Sequence, residues 1–259
     1  NISSQFISGL LFTLPLLTED SIIKIIPPFE SKSYIDLTID MLKKFGIEVL
    51  FLDDLTLTIK GNQKYIATDY KVEGDFSQLG FFAVLGAINN DLTCEGLDIN
   101  SKQGDREIIK ILKNCGIKIE ELENGYKIFR GLPKAYNINL ENCPDLGPIL
   151  TVLSAYGDGE FKIYNAQRLR YKESDRIEAM ENELKKLGVQ ISSDESNIYI
   201  KGNSKYISCN EVFGHKDHRI VMSLAIFATL LDSPLIIEGA EAISKSYPNF
   251  FEDLKNLNI

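Results

Sequence analysis

Histidine and cysteine are both scarce in this chain, and their scarcity excludes several classes of protein. Two histidines cannot supply a Cys/His zinc cluster. The four cysteines, Cys94, Cys115, Cys143 and Cys209, show no close pairing, so reduced thiols are expected, with Cys115 in the core. Basic residues are outnumbered, 28 to 37, and the formal net charge is −9. A nucleic-acid or membrane-surface role would want a basic face, so neither partner is expected. An anionic small molecule stays possible, because a few local cations suffice. No GxGxxG or P-loop sequence occurs, which argues against nucleotide binding. The longest apolar stretches, residues 7–17 and 220–231, fall far short of a membrane span. Residues 1–17 carry no basic leader, and a cytoplasmic location is expected. The sequence does not start with methionine and opens almost at a helix start, so it reads as a fragment or a processed product.

What the 259 residues do contain is a repeat. Asp75, Asp145 and Asp217 are spaced by 145 − 75 = 70 and 217 − 145 = 72, and 70 before Asp75 lies Gln5. Gly46, Gly116 and Gly188 keep the same step, as do Lys60-Gly61, Arg130-Gly131 and Lys201-Gly202. A period near 70 fixes the architecture before any motif is read. Each repeat predicts an apolar helix (5–17, 76–89, 146–156, 218–231) and then a short strand (21–26, 92–99, 160–164, 234–238). An amphipathic helix follows (34–45, 105–115, 174–187, 248–257), with lysines in its last turn and, in the first three repeats, a glycine stop. A hairpin closes the first three repeats (47–60, 117–130, 189–201). The fourth ends where its hairpin should begin, which leaves a sheet edge for another segment to cover. The fold class is therefore α/β (α+β), built from repeated βαβαββ units.

Several polar residues sit at equivalent helix starts, and each has a plain reading. Asp75, Asp145 and Asp217 read as N-caps, Ser3 and Ser4 as caps, and Tyr34 as a core-edge residue. Glu173 reads as a first-turn acid with surface ion pairs. Arg176, Arg219 and Lys245 lie at predicted helix starts, where cations oppose the helix dipole unless an anion binds between them.

Seven segments in register with the repeat resemble one family. Arg170-Tyr171-Lys172-Glu173-Ser174-Asp175-Arg176 resembles the R-x-K-E-[ST]-D-R motif of EPSP synthase (3-phosphoshikimate 1-carboxyvinyltransferase). Asp217-His218-Arg219-Ile220-Val221-Met222 is similar to its D-H-R-[IM]-A-M motif, and Ser3-Ser4-Gln5-Phe6 to its S-S-Q-F. Ser31-Lys32-Ser33-Tyr34-Ile35-Asp36 is similar to its S-x-P-Y-I-D segment, with Ser33 in place of the proline. Glu73-Gly74-Asp75, Pro144-Asp145 and Lys245-Ser246-Tyr247-Pro248 follow in the family's order. The resemblance covers essentially the whole chain. It implies an inside-out α/β barrel of the enolpyruvyl transferase kind, with six units in two halves. Residues 1–73 would be the last unit of the N-terminal half, and residues 74–259 the three-unit C-terminal half, its last unit lacking a hairpin. The family's L-P-G-S-K-S segment, with a catalytic lysine, and its G-N-[AS]-G-T loop do not occur here. Negligible turnover is expected of this chain alone.

The resemblance also implies a reaction. The enolpyruvyl group of phosphoenolpyruvate passes to the 5-hydroxyl of shikimate 3-phosphate, phosphate leaves, and no metal or organic cofactor is needed. It assigns proton transfer to Asp145 and Glu173. Ser3, Ser4, Gln5, Ser31, Tyr34, Asp145 and Lys172 would hold shikimate 3-phosphate, and Arg176, Arg219 and Lys245 phosphoenolpyruvate. His218 and Arg168 are possible accessories. Two cations beside Glu173 would lower its pKa, so Lys172 and Arg176 are expected to face ligand rather than Glu173, with Asp175 pairing Arg170. A monomer is expected of the full-length protein, and association through exposed edges of this chain. The rival readings are UDP-N-acetylglucosamine enolpyruvyl transferase and a non-catalytic, repeat-built binding protein.

Overall fold

A computed structural model of the chain describes residues 4–27, 29, 32–207 and 211–257. The chain divides into two compact units: Asn1–Glu73 with Lys102–Gly104, and Gly74–Ser101 with Asp105–Ile259. The smaller contains α1 (Ser4–Thr13), β1 (Ser21–Lys24), α2 (Lys32–Lys44), β2 (Val49–Asp53) and β3 (Thr56–Ile59). Its strands form an antiparallel sheet in the order β1-β3-β2. Alternation in Thr56-Leu57-Thr58-Ile59 turns Leu57 and Ile59 inward, against Leu11, Ile35 and Leu42.

The larger unit runs through the pattern three times. First come α3 (Phe76–Ile88), β4 (Leu92–Glu95), α4 (Glu107–Asn114), β5 (Ile119–Leu122) and β6 (Gly125–Ile128). Next are β7 (Asn137–Asn139), α5 (Gly147–Tyr156), β8 (Glu160–Tyr164), α6 (Arg176–Lys186), β9 (Gln190–Ser193) and β10 (Ile198–Lys201). Last are β11 (Glu211–Phe213), α7 (His218–Ala228), β12 (Ile236–Glu238) and α8 (Phe250–Asn256). The sheets are ordered β4-β6-β5, β7-β8-β10-β9 and β11-β12; β7 pairs parallel to β8, and β11 parallel to β12. These two parallel strands are too short for periodicity to locate, with one buried residue each, Ile138 and Val212.

Helices α3, α5 and α7 are apolar nearly all round, so they pack together in the interior. The amphipathic α4 and α6 turn one face to this core and the other to water. Gly46, Gly116 and Gly188 follow α2, α4 and α6 with φ of 81°, 82° and 84°. Only a residue without Cβ adopts that conformation cheaply, and it lets the next amide bond back into the helix, as Val189 N–H does to Leu184 O at 3.0 Å. Cys115 is fully buried, which pushes its thiol up to about 11.

Helix α1 differs from its repeat equivalents. It buries only Leu11 and leaves Phe6, Leu10 and Phe12 exposed. Phe6 and Leu10, one turn apart on the same face, leave apolar surface that promotes association. Sedimentation velocity is expected to show concentration-dependent oligomers of the chain, and the double variant Phe6→Glu/Leu10→Glu should shift them toward monomer.

Candidate active site

The aspartates one repeat apart do different things. Asp75 caps α3 by accepting Ser77 N–H at 2.7 Å, and Asp217 caps α7 by accepting Arg219 N–H at 2.9 Å. Asp145 caps nothing, and the local chain explains why. The amide two residues on, Gly147 N–H, already donates to Pro144 O in the 3-10 turn Pro144–Leu146. Three residues on is Pro148, which has no N–H. Asp145 is thus left to side chains: Lys172 Nζ at 3.1 Å, Arg176 Nη1 at 3.0 Å and Arg219 Nη2 at 3.4 Å.

Arg176 is the hub. It opens α6 behind the cap Asp175, whose Oδ1 accepts Ile177 N–H and Glu178 N–H. Its side chain is 1% exposed. Nε donates to Asp217 Oδ2 at 2.8 Å, Nη1 to Asp145 Oδ1 at 3.0 Å, and Nη2 to Glu173 Oε2 at 2.7 Å. The fork of guanidinium donors lets one cation serve three carboxylates in fixed directions, which a lysine could not. The cluster grades from buried to wet: Asp217 is 0% exposed, Asp145 21%, Glu173 29% and Lys245 56%. Lys245 Nζ binds Glu173 Oε1 at 2.7 Å, and Arg219 Nη2 donates to Ser77 Oγ at 2.9 Å.

Two expectations are corrected here. Arg176 does not stand apart from Glu173 facing ligand; it binds that carboxylate and is buried, because Asp217 beneath it holds the guanidinium inward. Lys172, expected not to partner Glu173, binds Asp145 at 3.1 Å. Lys245 does not start a helix; it ends the 3-10 turn Ala240–Lys245, ahead of α8. Asp175 does pair with Arg170, at 2.7 Å.

Charge follows from this geometry. Four cations (Lys172, Arg176, Arg219, Lys245) face three carboxylates (Asp145, Glu173, Asp217), so the cluster carries 4 − 3 = +1 with all ionised, in a chain of −9. Burial alone would raise the Asp145 pKa, but Arg219, Lys172 and Arg176 hold it well below the carboxylate range. Burial raises Glu173 too, and is outweighed by the Lys245 hydrogen bond and the Arg176 charge, which bring it down to about 2. His218, buried at the start of α7, is lowered by desolvation and then by Arg219, which favours the neutral imidazole.

Ser4 and Gln5 open α1, half-buried and exposed respectively. Tyr34 is half-buried on α2, where its carbonyl accepts Thr38 Oγ1 at 2.8 Å. Ser3 and Ser31 lie outside the described residues. Arg168 is half-buried in the 3-10 turn Gln167–Tyr171. Sequence reading missed Ser77, which anchors Arg219, and Ser174, whose Oγ donates to Asp217 at 3.1 Å. The repeat carried a signal for Ser77, since it stands two residues after Asp75 as Arg219 does after Asp217. Among the described residues no group of three or more His, Cys, Asp or Glu side chains is placed to hold a metal ion, and no helix is long and apolar enough to cross a membrane.

Comparison with known proteins agrees with the fold. An enolpyruvyl transferase from Streptomyces tendae, NikO, superposes with a TM-score of 0.78 at 15% identity, over 97% of this chain and 59% of that one. EPSP synthase from Acinetobacter baumannii superposes at 0.82 with 27% identity, over 98% and 60%. The fold is that of the enolpyruvyl transferases. Residues 1–254 match the sequence model of EPSP synthase (3-phosphoshikimate 1-carboxyvinyltransferase), and the chain belongs to that family. The 3-phosphoshikimate 1-carboxyvinyltransferase of Clostridium kluyveri is 47% identical over 257 residues, 99% of this chain and 60% of the relative. That of Clostridium acetobutylicum is 49% identical, over 99% and 59%. The chain thus spans about 60% of the length of the curated relatives it matches.

Expected outcomes concern two substitutions and acid. Arg176→Ala leaves Asp217 charged and buried, so urea denaturation should show a loss of about 3–5 kcal/mol. Lys245→Ala removes an exposed partner and should cost no more than about 1 kcal/mol. The folded pKa of Glu173 lies below its ordinary 4.5, so its contribution to stability is complete above that value and is lost as pH falls toward about 2. Denaturation midpoints measured between these pH values should decline, and the slope should be shallower in Glu173→Gln.

Proposed function

We propose that the chain forms part of an enzyme transferring the enolpyruvyl group of phosphoenolpyruvate to the 5-hydroxyl of shikimate 3-phosphate, with release of phosphate. The observation that carries the reading is the cluster on Arg176, where two partly exposed carboxylates share four cations with a buried third. The reaction needs a proton delivered to the vinyl carbon, a proton removed from the hydroxyl, and cations for phosphates and carboxylates. Asp145 takes the ring-hydroxyl side, and Glu173 serves proton transfer at the vinyl group.

Glu173 at rest is too acidic to donate a proton near neutral pH. Bound phosphoenolpyruvate would change this by drawing Lys245 and Arg219 toward its own carboxylate and phosphate. With Lys245 drawn off, its hydrogen bond and charge no longer hold Glu173 down, and the affinity of Glu173 for a proton rises. Arginine suits the bidentate contacts and Lys245 acts as a mobile point charge. Within the larger unit Lys172 and Asp145 would hold shikimate 3-phosphate; His218 and Arg168 assist. The same proposal places the protein in the cytoplasm as a monomer at full length, with no nucleic acid or membrane partner.

Titration calorimetry tests the reading. Shikimate 3-phosphate should bind the chain, UDP-N-acetylglucosamine should give no heat at equal concentration, and Asp145→Asn should weaken the former by about ten-fold, or 1.4 kcal/mol. Absence of heat with shikimate 3-phosphate, with heat from the nucleotide sugar, would overturn it.

A further inference from the structure

The loop from β11 to α7 delivers Asp217, His218 and Arg219, yet its backbone course is unfavourable. His215 and Lys216 are consecutive non-glycine residues with φ of 53° and 55°. Residues bearing Cβ rarely hold that conformation twice in succession unless their surroundings enforce it. The stretches immediately ahead of the other two interior helices of the larger unit, residues 70–75 before α3 and 140–146 before α5, contain no such residue.

Helix α6 grips this loop at two points. At its first turn Arg176 binds Asp217. Seven residues later, two turns on and so on the same face, stands Glu183, only 2% exposed. Its Oε2 accepts Phe213 N–H at 3.0 Å and Lys186 Nζ at 2.7 Å, and its Oε1 lies 3.0 Å from His215 Nε2. Burial raises the Glu183 pKa, but Lys186, Phe213 N–H and His215 outweigh it and lower it below the ordinary value. An ionised carboxylate only accepts, so Nε2 is the ring nitrogen that carries hydrogen and donates. The Phe213 and His215 rings meet edge to face at 4.9 Å.

The fold does not ask for a carboxylate at this place. Five residues before each helix-stop glycine stand Met41, Ile111 and Glu183, and Ile111 is buried in the apolar core. Where two repeats put an apolar side chain, the third buries a charge, which is costly unless it is fully engaged. We propose that Glu183 is a positioning residue. By holding Phe213 N–H and His215 it keeps the loop in its left-handed course, and so fixes the aim of Arg219 at Asp145 and Ser77 without touching a ligand. The consequence for ligand rests on the reading of Arg219 as an anion clamp; the latch itself does not.

The experiment compares Glu183→Met, which installs a neighbouring repeat's residue, with Glu183→Gln, which keeps an acceptor for Phe213 N–H. Amide hydrogen exchange is followed at residues 213–219 in the ligand-free chain, and phosphoenolpyruvate affinity is measured by calorimetry. Glu183→Met is expected to speed exchange at 213–219 by about ten-fold or more with α3 and α5 unchanged. It should also weaken phosphoenolpyruvate by roughly five- to ten-fold, and Glu183→Gln should recover most of both losses. Unchanged exchange at 213–219, equal loosening of α3 and α5, or no recovery with glutamine each overturns the proposal. Where the wild-type chain binds no phosphoenolpyruvate, the reading of the site fails and the exchange pattern alone decides the latch. Should Glu183→Met not fold, His215→Ala removes one arm of the latch at a partly exposed side chain, and unchanged exchange there is equally decisive.

Discussion

Arg176 buries its guanidinium against Asp217 while reaching outward to Asp145 and Glu173, and the larger unit's chemistry is organised by that one side chain. A buried charge is tolerated only when its donors are engaged, and here the partners arrive from the starts of three different elements. Asp217 comes from α7, Asp145 from the turn into α5, and Glu173 from the segment ahead of α6 itself. Moving any of these would strand a charge away from water. The ion cluster thereby ties helix packing to the geometry of the site. It also leaves the outer carboxylates ionised in a field of cations.

The repeat provides the frame and its departures provide the function. Equivalent helix starts carry Asp75, Asp145 and Asp217, yet only the middle one is released from capping, because Gly147 N–H is spent in a 3-10 turn and Pro148 has none. Equivalent positions in the outer helices hold Met41, Ile111 and Glu183, and only the charged one supports a loop with two left-handed residues. Repetition gives the elements their places, and small local differences decide which side chains are left to face one another.

Much of the fold was legible in the sequence because the repeat superimposed weak signals. Gly46, Gly116 and Gly188 marked three helix ends that all require a left-handed residue. The nearly continuous apolar character of residues 76–88, 147–156 and 218–228 marked interior helices. Short parallel strands such as Asn137–Asn139 escaped, since three residues hold no period. In the site, the Lys-Glu-Ser-Asp-Arg and Asp-His-Arg segments, with Pro144-Asp145 and the Lys245 segment, located the cluster's charged members, whereas the roles of Ser77 and Ser174 went unread. The direction of Arg176 did not follow from its neighbours. Nearby sequence offered Glu173 and Lys172, whereas the group that turns it inward is Asp217, 41 residues away.

The sequence by itself determined the repeated architecture and the family to which the chain belongs. Those properties reside in local periodicity and in motifs a few residues long. Tertiary structure alone decided which carboxylate caps and which is free, which cation is buried, and that Glu183 supports the Arg219 loop. These outcomes depend on distances between segments far apart in the chain, and on burial, which sets the cost of leaving any one of those charges unpaired.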